Sequence, residues 1–446
     1  MPMDWQRLLT RQRLGKDYPE GRESGRTCFQ RDFDRLVFSS SFRRLKDKTQ
    51  VFSLVDNDYI RTRLSHSIEA SCVGRSLGRI IGETVIMRHH LEQGGFTASD
   101  FGDILAAACL AHDIGNPPFG HVGEDSISHA FVTWGQSSVG ERILQGLTPQ
   151  QKQDFSYFEG NAQGFRILTH LEMYPRYGGM CLTCPTLAVF MKYPRESFMA
   201  EETVDTYCGK SIDKHGFFQA DKTVFEAIAN TVGLLRRSDR AHWWVRHPLA
   251  LLVEAADDIC YRIVDIEDGC HMGYVSHEDA LALLSAITTT CQPELGERPQ
   301  ERLKRLRACA INTLTYEAAE IFLDNEADIL AGTFDEALLD KSEHGHVLKD
   351  IKALTKEQIF DNTKVLKIRI AAYEVLGTLF KEFITSAFGE SDKGKLLWQI
   401  LPEHYQAQPG DDPYIKILKI TDYISGMTDS YATSLFQQLK GISLLG

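Results

Sequence analysis

His112-Asp113-Ile114-Gly115-Asn116-Pro117-Pro118-Phe119-Gly120-His121, the run HDIGNPPFGH, closes an apolar, alanine-rich stretch that begins at residue 99. Ser99-Asp100 reads as the N-cap of a helix over 99–113, and Gly115 with Pro117-Pro118 reads as its stop. The run therefore sets a histidine and an aspartate side by side at a helix end. Adjacent side chains inside a helix point about 100° apart and do not ordinarily share a ligand. Where the backbone changes direction they can converge on one ion, and imidazole with carboxylate is a good donor pair for a first-row transition metal. Taken alone, the run reads equally as a polar helix end followed by a Gly-Pro turn.

Outward from this run the pattern stays helical. Residues 64–90 carry apolar residues at helical spacing, weakened by three glycines, and hold His66 within RTRLSHSIE. Residues 248–268 open on Pro248, a favoured first helical position, and run to Gly269, a natural stop. Asp257 and Asp258 sit in that largely apolar helix, in EAADDICYRIVD, where adjacent carboxylates are costly unless paired or metal-bound. Asp257, Tyr261 and Asp265 fall at i, i+4 and i+8, on one face. Residues 278–287, 300–331, 364–388 and 413–439 also read as helices. The exception is 175–221, rich in Gly, Pro, Cys and Thr, with room for one short β-hairpin near TVDTYCGKSI and KHGFF. The expected fold is all-α. With no repeat or low-complexity linker, the chain reads as one elaborated domain over 1–446, with a motif-bearing core at about 20–290 and a helical part at about 300–446.

Composition narrows the function. The 446 residues are 43% hydrophobic and 25% charged, an ordinary globular balance. A net charge of −12 argues against a general nucleic-acid coat. Cations nonetheless crowd the first 63 residues, among them Arg22, Arg26, Arg43, Arg44, Lys46, Lys48, Arg61 and Arg63, and suit an anionic ligand. The apolar run Ile104–Ala111 is far below the roughly 18 residues a membrane helix needs. The N-terminus lacks an apolar signal region, so a cytoplasmic protein without a membrane partner is expected. Ten cysteines without framework spacing read as reduced thiols. Cys181 and Cys184 have CxxC spacing without the second pair that a zinc site needs.

His66, His112-Asp113 and Asp257 together form the pattern H…HD…D. With RTRLSHSIE, AHDIGNPPFGHVGED, EGNAQGFRIL, KYP, KHGFFQADK and EAADDICYRIVDIEDG in order, it resembles the HD-domain phosphohydrolases, and most closely their dGTPase branch. KITDYISGMTDSYA extends the likeness towards the C-terminus. The resemblance implies an HD-type helical bundle with helical elaborations, and His66, His112, Asp113 and Asp257 as ligands of one divalent metal (Mn, Mg, Fe, Ni, Co or Zn). It implies His121 and Glu124 as the catalytic pair, the carboxylate fixing the tautomer of a histidine that transfers protons. Arg63 and Lys192 would bind phosphate, with Tyr193 of the same KYP segment and Gln50 also at the substrate. Tyr261 would pack on the deoxyribose and crowd a 2′-hydroxyl, and Asp265 would meet the 3′-hydroxyl. Many relatives carry histidine where this chain has Asn116, which keeps a donor but loses the titratable ring.

The implied reaction is metal-dependent hydrolysis of a deoxynucleoside triphosphate, dGTP or several dNTPs, to deoxynucleoside and inorganic triphosphate, with Mg²⁺ on the substrate phosphates. The implied assembly is a homo-oligomer, a hexamer or another even number, and single-stranded nucleic acid is a further conceivable partner. An HD nucleotidase acting on other nucleotides explains the metal quartet but gives His121, Glu124, Tyr261 and Asp265 no task. A catalytically weak nucleotide-binding regulator leaves the quartet and the catalytic pair without purpose.

Overall fold

Gly74, Gly78 and Gly82 recur every fourth residue along helix α1 (Arg63–His89), and helix α2 (Ala98–Ala111) lies directly against them. A Cβ at Gly78 would stand 2.6 Å from the Phe101 carbonyl oxygen, and one at Gly74 would stand 2.5 Å from Cys109 Sγ. The glycines that weaken this helix in isolation, by about 0.5–1 kcal/mol each relative to alanine, are what let two backbones approach. Helix α2 is buried on nearly every side, as its all-round apolar character requires. Its cap is Thr97, one turn before Asp100, whose Oδ2 accepts from the Thr97 amide at 2.8 Å and the Thr97 hydroxyl at 3.0 Å. This moves the cap from the expected Ser99-Asp100.

The computed structural model describes residues 1–16, 25–50, 61–173, 179–199, 207–288, 291–389 and 391–443. Arg22 and the first residues of TVDTYCGKSI lie outside them. The main helices that follow α2 are α3 (His121–Gly135), α4 (Ala250–His271), α5 (His277–Ile287), α6 (Pro299–Asp324), α7 (Gly345–Thr355), α8 (Thr363–Phe388), α9 (Pro413–Ser425) and α10 (Asp429–Leu439). No described helix is long and apolar enough to cross a membrane.

Four expectations change. Gly269 does not stop α4; it stays inside, where a Cβ would meet Val275 and Ile359, and the chain turns at Gly273 with φ +71°. The stretch 300–331 breaks at Asn325 into α6 and Glu326–Ala331. The stretch 413–439 breaks after Ser425, and α10 restarts on a Thr428 cap. No β-hairpin forms among the described residues. Lys210–Ile212 is a 3₁₀ turn, and Phe217 pairs with Glu196 through one isolated parallel bridge.

Two apolar cores result. One gathers α1, α2, α4, α5 and α6 around Leu77, Leu105, Ile259, Ile263, Leu284 and Leu314. The other joins α3 to α8, α9 and α10 through Ile127, Phe131, Phe380, Phe383, Ile417 and Tyr423. Residues 116–119, at the heart of the motif, cross between them and are tied from both ends of the chain. The Lys48 ammonium donates to the carbonyls of Asn116 at 2.5 Å and Ser425 at 2.9 Å. Asp429 accepts from the Phe119 amide at 3.0 Å and the Thr49 amide at 3.1 Å.

Candidate metal centre and active-site cavity

His66 lies on the first turn of α1, His112 and Asp113 at the end of α2, and Asp257 in the second turn of α4. His66 Nε2 is 3.1 Å from Asp257 Oδ1, and His112 Nε2 is 3.4 Å from the same oxygen. His66, His112 and Asp257 each offer a ligand atom within 4.8 Å of the others. Asp113 is the flank of this trio. Its Oδ1 lies 3.6 Å from His112 Nε2, while its carboxylate accepts from Arg63 Nη1 at 2.8 Å and from Asn116 Nδ2. Asp258 turns away and accepts from Arg262 at 2.8 Å.

The donor set fits a cation for a local reason. His112 Nδ1 donates to the Cys109 carbonyl at 2.7 Å, which leaves the Nε2 lone pair facing two carboxylates. That Nε2 is buried and makes no hydrogen bond. A lone pair against carboxylate oxygens is unfavourable unless a proton or a cation stands between them. The protein alone supplies the proton: burial would lower the His112 pKa, but Asp113 and Asp257 outweigh it and raise it to about 9. Burial likewise opposes ionisation of Asp257, and His112 and His66 overcome it and hold the carboxyl well below its usual range. Two imidazoles and the Asp257 carboxylate within 4.8 Å of one another, with Asp113 at their flank, suit a divalent metal, and the Cys109 carbonyl orients the His112 ring from behind.

Above this cluster opens a cavity of about 560 Å³, lined by Gln50, Arg63, Asp113, His121, Asp257 and Tyr261 among others. His121 is the first residue of α3, after Gly120 at φ +62°. That positive φ demands glycine, and a Cβ there would also press the Arg63 guanidinium away from its place. The His121 side chain is 74% exposed, and its Nδ1 meets Glu124 Oε2 at 2.8 Å. The other Glu124 oxygen accepts from the Gly160 amide at 2.8 Å, so the carboxylate is fixed while the ring faces open space. The hydrogen bond to Glu124, with its charge, raises the His121 pKa. Tyr261 stacks against Phe360 at 6.2 Å and 16° between ring planes.

An HD domain model matches residues 63–157, and a phosphohydrolase-associated domain model matches 341–438. Three relatives bear the description deoxyguanosinetriphosphate triphosphohydrolase-like protein. That from Synechocystis is 54% identical over 99% of this chain and 100% of its own length. One from Pseudomonas aeruginosa is 41% identical over 99% of both chains. One from Listeria monocytogenes is 34% identical over 99% of this chain and 100% of its own. The chain belongs to the dGTPase-like family of HD-domain phosphohydrolases.

Within this dGTPase-like protein the remaining expected residues divide. Gln50 lines the cavity with its Oε1 buried and unpartnered. Asn116, Lys192, Tyr193 and Asp265 do not line it. Asn116 sits beneath Asp113 as its hydrogen-bond donor. Lys192 Nζ is 3.4 Å from Glu254 Oε1 and lies over the Tyr193 ring. Asp265 is buried, with Oδ2 unpartnered, and burial holds its carboxyl well above the usual range.

Sequence reasoning missed two groups of cations. Lys214 stands 3.1 Å from Glu159 and 3.9 Å from Glu124 and, with them, lines a second cavity of about 740 Å³ that shares His121 with the first. Its signal was present in KHGFFQADK, which opens with Lys214. Lys352, Lys356 and Arg369 line the first cavity from the far side. They lie on helices that resemble any charged surface helix in one sequence, so only the packing brings them to the site.

Proposed function

We propose that this HD-domain phosphohydrolase cleaves deoxynucleoside triphosphates, dGTP or several dNTPs, to deoxynucleoside and inorganic triphosphate. The observation that carries the reading is that one cavity is lined by Asp257 of the His66–His112–Asp257 cluster, by His121 of the His121–Glu124 pair and by the Tyr261 ring. A monophosphate nucleotidase needs only the cluster.

His66, His112, Asp113 and Asp257 would hold the metal, which when bound supplies Lewis-acid stabilisation of charge at the α-phosphate. Arg63, which lines the cavity, offers a bidentate cation to the phosphates; Lys192 would have to turn from Glu254 to add a point charge. Water adds to the α-phosphorus as the bond from that phosphorus to the 5′ oxygen breaks. The protonated His121 ring gives its proton to the departing 5′ oxygen, while Glu124 holds Nδ1 and supports the cationic form. Tyr261 packs on the sugar where a 2′-hydroxyl would crowd it; Asp265, one helical turn further on and buried behind the lining, is the family's position for the 3′-hydroxyl.

Incubation with each dNTP, singly and mixed, with Mn²⁺ or Mg²⁺ and chromatographic resolution of products tests this. Deoxynucleoside and intact triphosphate are expected, and ¹⁸O-labelled water should place its oxygen on the triphosphate. Orthophosphate or pyrophosphate as the first product overturns the reading, and label on the nucleoside overturns attack at phosphorus.

A further inference from the structure

Far along the chain from the motif, Cys291 and Cys309 bring their sulfurs to 2.8 Å. Cys291 belongs to the segment that leads into α6, and Cys309 to the third turn of α6 itself. Cys291 Sγ accepts two hydrogen bonds, one from the Cys309 thiol and one from Arg305 Nη1 at 3.4 Å. The segment is already clamped to the helix: Arg305 donates to the Gln292 carbonyl at 2.7 Å and to both Glu297 carboxylate oxygens at 2.7 and 2.8 Å. Cys72 and Cys208 are exposed.

We propose that Cys291 and Cys309 are a site of reversible oxidation, closing to a disulfide in response to a hydroperoxide. Thiolate exchange needs sulfurs in contact and a backbone that tolerates the bond. Here the contact exists, and clamping by Arg305 limits the movement that could part the sulfurs. Cys291, the sulfur that accepts both hydrogen bonds, attacks the peroxide O–O bond, giving a sulfenic acid and releasing the other oxygen after protonation, as water from hydrogen peroxide or as an alcohol from an organic hydroperoxide. Cys309 then attacks that sulfur, the S–S bond forms, and hydroxide leaves to become water. The two thiols lose two electrons and the peroxide gains them. A thiol reductant reverses the change by exchange through a mixed disulfide. The product fixes residues 291–298 onto α6.

Full-length protein is treated with increasing hydrogen peroxide, free thiols are alkylated, and non-reduced proteolytic peptides are read by mass spectrometry. The expected result is a cross-linked peptide joining Cys291 to Cys309, formed at or below the dose that modifies Cys72 and Cys208, removed by dithiothreitol, and absent from C291S and C309S. The oxidised protein should also resist proteolysis between residues 291 and 298 more than the reduced one. Overturning results are both thiols alkylated after Cys72 and Cys208 have reacted, or either cysteine ending as sulfinic acid without a cross-link. Wild-type protein alone decides between these outcomes, so the test does not depend on the variants folding.

Discussion

Asp257 and Asp258 are chemically identical neighbours in opposite environments. Asp257 faces two imidazoles that keep it ionised, while burial raises Asp258, only partly offset by Arg262. D257A should therefore lose bound metal and D258A retain it, as read by metal analysis of purified protein; the reverse pattern would place the metal on the other carboxylate. His121 tests the chemistry separately. H121A should keep metal and nucleotide binding but lose turnover by about 10²–10⁴-fold, the usual range for a positioned acid or base, in single-turnover assays. The pH profile gives the sign for Glu124. Its carboxylate raises the His121 pKa, so the ring keeps its proton to higher pH. E124Q removes the charge, and the alkaline limb of kcat should move to lower pH; an unmoved limb removes His121 as the titrating acid.

At the scale of elements, the α1–α2 contact makes a paired prediction. G78A drives a Cβ against the Phe101 carbonyl, with backbone on both sides, and should cost about 1–3 kcal/mol as overpacking. Gly377 in α8 has nothing within 4 Å of an added Cβ, so G377A should stabilise, by up to about 1 kcal/mol from helix propensity. Thermal unfolding of both variants separates packing from propensity. The same pair shows what one sequence reveals. The helices over 64–90 and 99–113 were legible because their apolar period extends over several turns. The three glycines read as a weakness because their partner surface is the backbone of another helix, which leaves no trace in the sequence of α1. Gly269 misled for the same reason: a close tertiary neighbour had excluded a side chain there, where the pattern suggested a stop. The clustering of His66, His112 and Asp257 was legible through motif order, whereas the engagement of Asp113 by Arg63 and Asn116, and of Lys192 by Glu254, depends on side-chain geometry.

Across the whole molecule, the turn that carries Phe119 and Gly120 is held by residues more than 300 positions away in sequence. Asp429 satisfies the Phe119 and Thr49 amides, and D429A would leave those donors without their acceptor at about 1–3 kcal/mol. The predicted result is a lower melting temperature together with a fall in kcat that exceeds any change in metal content, because the turn before His121 loosens while the ligand trio stays. D429N, which keeps one acceptor oxygen, should recover part of both. The cavity itself has two walls of different origin. One is built by Thr49, Gln50, Arg63, Asp113, residues 119–122 and residues 257–261, and the other by residues 352–369 of the phosphohydrolase-associated segment. Substitutions in the second wall alter the shape and charge of the mouth without disturbing a single contact among His66, His112, Asp257, His121 and Glu124. On the proposed function, a lineage can thus retune which nucleotides it admits by editing one tract of sequence, while its descendants inherit the reaction unchanged.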